Sequence, residues 1–166
     1  MNQIVRFILL VIIGLSVGFG GFWFSQSDFF SGNNEGGSDG TTVSWDTLRG
    51  LNLETGAVDD KLKKLDGQKV RIPGFVVPLN AADNWNDIDE FVFVPSPAAC
   101  IHVPPPPPNQ MIHIKLENNA TITPTVGMPY WVHGTLKVQK TDSLYGEISY
   151  QLGFEHIEEY KVETSN

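Results

Sequence analysis

The hydrophobic pattern changes period three times along the chain. From Phe7 to Phe24 almost every residue is apolar or glycine and none is charged. Arg6 is the only charge before this stretch and Asp28 the first acid after it. Basic before and acidic after predicts a cytoplasmic N-terminus with the remainder translocated. The stretch meets the minimum of roughly 18 residues for a spanning helix, and Ser25-Gln26-Ser27 makes a poor cleavage site. Residues 1–27 therefore read as an uncleaved signal anchor, with a cleaved signal peptide as the alternative. Residues 28–42, ending in SGNNEGGSDGTT, read as a flexible tether. Residues 43–166 are left as one folded domain.

Within that domain the pattern is briefly helical and then alternates with period two. Ser44 precedes Trp45-Asp46-Thr47-Leu48 as a helix N-cap. A second short helix is expected over Val58–Leu65, with apolar residues at 58, 62 and 65 and Gly67 as its stop. Strands are predicted over Gln68–Leu79, Phe91–Val94, Met111–Leu116, Tyr130–Val138 and Leu144–Tyr160, the last with a break at Gly153. Gly74 lies mid-strand, where glycine marks a bulge or sharp bend. Five strands, the first with a central glycine, predict a mainly β fold: a small Greek-key barrel of the oligonucleotide/oligosaccharide-binding (OB) type, with one or two short N-terminal helices. A curled open sheet is the alternative.

Charge narrows the partners. A formal net charge of −8 argues against nucleic acid and anionic lipid surfaces. One cysteine excludes an internal disulfide, so the thiol is buried, liganded or chemically used. The acidic run Asp83–Glu90 lacks the glycine and distal glutamate of a calcium loop and reads as a solvated turn.

The candidate chemistry sits between Pro97 and Met111, in PAACIHVPPPPPNQM. Cys100 and His102 are two apart, which in an extended segment puts both on one face, where a thiolate and an imidazole can share one Zn²⁺. Two ligands do not complete a site. His113 and His133 are the candidates for a third, with His156, Glu155 and Glu158 more distant. The same pair could form an activated nucleophile. No glycine-rich oxyanion hole adjoins it, however, and the prolines remove the N–H donors such a hole needs, so the chain reads as a non-enzyme. Pro104, Pro105, Pro106, Pro107 and Pro108 impose a stiff polyproline II segment. That segment either docks into a partner's aromatic groove or buttresses the domain against its own aromatics, such as Trp85, Tyr130 or Trp131. Asn109 and Gln110 are expected to bond to backbone carbonyls there.

The segments VRIPGFVVPL, FVFVP, ACIHVPPPPPNQ and WVHGTLKV, preceded by SWDTL, closely resemble exported bacterial proteins grouped as domain of unknown function 3299. Ala98 stands where that pattern leads one to expect glycine. The resemblance implies a small periplasmic protein with subunits of an ATP-binding-cassette (ABC) transporter as partners and zinc as the metal, and the N-terminal segment would hold it at the inner membrane. The expected function is therefore binding or relaying a soft divalent metal for such a transporter. A pure interaction module, using the proline ridge with Cys100 buried, is the alternative.

Overall fold

The computed structural model describes residues 40–79, 85–97 and 105–161. The expected anchor, Cys100, His102 and Pro104 lie outside the described residues. Among the described residues, no helix is long and apolar enough to cross a membrane.

Strand β1 is Thr41–Thr42, and two short helices follow, α1 (Trp45–Leu48) and α2 (Asp60–Lys63). Next come β2 (Lys69–Pro78), β3 (Glu90–Val94), a 3-10 turn over Pro108–Gln110 and β4 (Ile112–Lys115). The remaining strands are β5 (Pro129–Lys137), β6 (Thr141–Ser143), β7 (Gly146–Ile148) and β8 (Tyr150–Glu159). β2, β3, β4, β8 and β5 follow one another around a sheet that closes when β5 pairs back onto β2. The fold is thus mainly β, a five-stranded closed barrel with few short helices. β4 and β8 run parallel, and the other barrel pairs are antiparallel.

Alternation explains the core. Val70, Ile72, Phe91, Phe93, Ile112, Ile114, Val132 and Leu136 are fully buried and occupy one face of their strands. Gly74 makes closure possible: a Cβ there would lie 2.6 Å from the Val94 carbonyl oxygen and 2.7 Å from the Phe93 ring. β2 can therefore bend, pairing with β5 up to Phe75 and with β3 from Phe75 onward.

On its other edge β2 is covered in pieces. β1 pairs in parallel up to Arg71, and Val43 N–H donates to the Arg71 carbonyl at 2.9 Å. Between that point and Phe75 the ladder has a gap. Trp45, cradled in α1, fills it by donating its indole N–H to the Pro73 carbonyl at 2.6 Å. α1 is capped by Ser44 and α2 by Asp59, whose Oδ1 accepts the Leu62 N–H at 2.7 Å. Tyr150 ties β8 to α1 by donating its hydroxyl to the Leu48 carbonyl.

Three features depart from the sequence expectation. Thr41-Thr42 pair as a strand at the end of the expected tether. The expected long last strand is two elements: β7 closes a hairpin with β6, and β8 starts at Tyr150 and runs straight through Gly153. The second helix is a single turn, Asp60–Lys63, which starts after its Asp59 cap rather than at Val58 and ends at its Lys64 cap rather than at Leu65.

Candidate functional site

The alternation that sends Phe91, Phe93, Ile112 and Ile114 inward turns Glu90, His113 and Lys115 out onto the face of β3 and β4. The register sets Glu90 opposite Lys115 and Val92 opposite His113. His113 Nε2 reaches Glu90 Oε1 at 2.7 Å and Lys115 Nζ reaches Oε2 at 3.2 Å, so each carboxylate oxygen has a donor. Burial pushes the Glu90 carboxyl up, but the hydrogen bonds and positive charges of His113 and Lys115 outweigh it and hold the group below its ordinary value of 4.5.

The β6–β7 hairpin faces this triad. Ser143 Oγ donates to the Gly146 carbonyl at 2.9 Å and accepts the Tyr145 N–H at 3.1 Å, which shapes the turn. The Tyr145 hydroxyl donates to the Pro78 carbonyl at 3.2 Å and ties the hairpin to the end of β2. Between hairpin and barrel lies a cleft of about 260 Å³. Leu79 and Leu144 give it apolar walls, Asp89, Glu90 and Asp142 give it carboxylates, and His113 and Ser143 complete the lining. Leu144 is 83% exposed at the hairpin tip, an apolar side chain with nothing of its own to cover it. Glu90 is already neutralised by its two partners, whereas Asp89 and Asp142 form no ion pair among the described residues. The cleft therefore offers uncompensated negative charge between two leucines. Its hydroxyl, on Ser143, donates within the hairpin.

The structure sets apart the two histidines that the sequence offers as alternative third ligands, while Cys100 and His102 lie outside the described residues. His113 lies level with Gln151 of β8, and Gln151 lies level with Lys137 of β5, four positions along the strand from His133. That is about 13 Å along the strands and about 10 Å across them, so His113 and His133 cannot share one ion. His133 is buried and stacks on His156, with ring centroids 4.0 Å apart and planes 17° apart. Rings stacked this way cannot aim their nitrogens at one centre. His133 Nε2 instead reaches Glu158 Oε1 at 3.2 Å. Among the described residues, no three His, Cys, Asp or Glu side chains are placed to hold a metal ion.

The proline run ends in a fixed anchor. Pro107 has polyproline II angles, φ −56° and ψ 150°. The Pro108 carbonyl accepts the Ser149 N–H at 3.0 Å, and the Pro107 carbonyl accepts the Gln110 N–H at 2.8 Å. Asn109 Nδ2 donates to the Leu51 carbonyl at 3.0 Å. Backbone groups beside α1 and β8 thus hold Pro108 and Asn109, the Asn109 amide meeting a backbone carbonyl as the sequence leads one to expect; Pro105 and Pro107 stay exposed.

Sequence reasoning missed Glu90, Asp142 and Leu144. Glu90 was absorbed into the acidic turn before it, and only the register with Lys115 reveals its place. A single strand expected from Leu144 onward hides the hairpin of β6 and β7. The signal available was Gly146, whose φ of +98° serves the turn.

Comparison with known proteins bears on this geometry in two ways. A family model described as protein of unknown function (DUF3299) matches residues 51–159. The crystal structure of a DUF3299 family protein (PA4066) from Pseudomonas aeruginosa PAO1 is similar, with a TM-score of 0.58 and 26% identity, covering 80% of this chain and 99% of that one. No curated protein matches the chain.

Proposed function

The chain belongs to the DUF3299 family of proteins of unknown function, and from that premise we propose that it is a non-catalytic ligand-binding module of the OB type. The strand order β2-β3-β4-β8-β5 with its parallel β4–β8 pair supports that class. Barrels of the class take ligands on the face of their second and third strands, between the first and fourth connections. Here those strands are β3 and β4, and those connections supply Leu79, Asp89, Asp142 and Leu144. The observation that carries the reading is the cleft at that place, with Asp89 and Asp142 unneutralised between two leucines. Its ligand is a small group with a positive charge and an apolar stem, such as an amine or a basic side chain. Agmatine is the probe, with butyrate as its anionic counterpart. Titration calorimetry is expected to show agmatine binding and no butyrate binding. Asp142→Asn should weaken agmatine several-fold, worth about 1 kcal/mol, and salt should weaken it further. Equal affinity for both probes, or an unchanged affinity in Asp142→Asn, would refute the reading.

A second reading keeps the metal relay. The chain would be tethered to the inner membrane by residues 1–27, on the periplasmic side, and pass zinc to an ABC transporter. The observation favouring it is the anchored end of the proline run, which holds the chain a few residues after Cys100 and His102. Purified full-length protein should then carry zinc that is lost in both Cys100→Ser and His102→Ala. Equal metal content in all three proteins removes this reading.

A further inference from the structure

β2 and β8 both outrun the strands beside them, and the chain treats the two overhangs differently. On β2 the surplus is covered, because Thr41 and Thr42 pair with Val70 and Arg71. On β8 it is not. β4 pairs only with Tyr150–Gly153, and β8 continues to Glu159 with β5 on one side and no strand on the other among the described residues.

The direction of the free backbone groups follows from one bond. Tyr160 N–H donates to the Pro129 carbonyl at 3.0 Å. Antiparallel ladders alternate between bonded and non-bonded pairs. Glu158, opposite Trp131, therefore also bonds toward β5, whereas Ile157 and Glu159 turn their N–H and C=O groups to the open side. Such a row of unmet donors and acceptors is a template for another strand.

We propose that the Phe154–Glu159 edge of β8 docks an extended, positively charged segment of another protein by strand addition. This stands independently of the cleft described above. Charge selects the occupant. Glu155, Glu158 and Glu159 lie along the edge, and Glu159 forms no ion pair among the described residues. A second copy pairing antiparallel would set glutamates against glutamates, which is destabilising. The chain's own tether carries Asp28, Glu35 and Asp39 without a basic residue. A basic segment from a partner meets neither obstacle. Specificity in this mode comes from pockets for alternate side chains. A concavity of about 430 Å³ lined by Trp131, Glu158, Glu159 and Lys161 lies at the edge. Its Trp131 wall is fixed by the Arg71 guanidinium 4.9 Å from the ring centre and by Tyr160 at 5.1 Å.

The test uses the full chain, a short capped peptide of alternating lysine and valine, and its glutamate–valine counterpart. The lysine peptide is expected to slow amide exchange at Ile157 and Glu159 by about tenfold or more, without slowing it at Thr41 or Thr42. Glu159→Pro removes an N–H that faces away from β5, a position where edge strands accept proline. It should fold and lose the peptide, whereas Glu159→Gln should only weaken it. The proposal is overturned by absent protection at Ile157 and Glu159, by equal protection from the glutamate peptide, or by wild-type binding in a folded Glu159→Pro. Should that variant fail to fold, the wild-type exchange pattern alone decides.

Discussion

Replacing Gly134 with valine is expected to cost the domain about 3 kcal/mol or more, or to prevent it from folding. A Cβ at this position would lie 2.3 Å from the Gly153 carbonyl oxygen, with the Gly153 carbonyl carbon and Leu152 Cδ2 both at 3.0 Å. The first two are backbone atoms, so no change of rotamer relieves the contact. Gly134 also sits where the β5–β8 register shifts, between His133 and Gly134. β5 and β8 share the longest pairing in the barrel, and prising them apart there opens it. Gly153→Ala is the control, since a Cβ at 153 meets Thr135 at an ordinary 3.8 Å. Thermal unfolding should show Gly134→Val melting roughly a dozen degrees lower or not folding, with Gly153→Ala close to wild type. A Gly134→Val protein melting within a few degrees of wild type would mean that the two strands do not approach this closely.

Trp45→Ala should cost about 3–5 kcal/mol. Trp45 is 3% exposed and lies 6.4 Å, centroid to centroid, from the buried Phe93 ring. Its indole N–H meets the Pro73 carbonyl in the stretch of β2 that neither β1 nor β3 covers. Alanine leaves both a cavity and an orphaned carbonyl. Trp45→Phe keeps most of the volume and removes the donor, so it should cost less, about 1–3 kcal/mol. Urea unfolding of the two variants separates the contributions. Equal losses would show that packing alone matters and that the Pro73 carbonyl finds another partner.

How much of this was legible in the sequence depended on whether the controlling contact was local. The strands around Val70–Ile72, Phe91–Val94 and Tyr130–Val138 announce themselves by alternation, and Gly74 announces the bend that closes the barrel. The Ser44 cap is written within a few residues of the turn it caps. The parallel pairing of β4 with β8 joins segments about forty residues apart, and nothing in either segment encodes it. Thr41-Thr42 carry no apolar residue, so their pairing rests on backbone bonds to β2 that composition does not reveal. The candidate site fared worse for the same reason. His113 stood out by residue type and was grouped with Cys100, His102 and His133. Its partner in the structure is Glu90, and only the β3–β4 register brings the two together. Leu79, Asp142 and Leu144 belong to connections that converge only after the barrel has closed.

The most direct test of the binding reading is where agmatine sits, measured as nuclear Overhauser contacts on the isotope-labelled protein. The account predicts contacts from the agmatine methylenes to Leu79 and Leu144, together with shifts of the His113 ring resonances. Contacts confined to the Trp131 face, or none at any concentration that saturates binding, would contradict it.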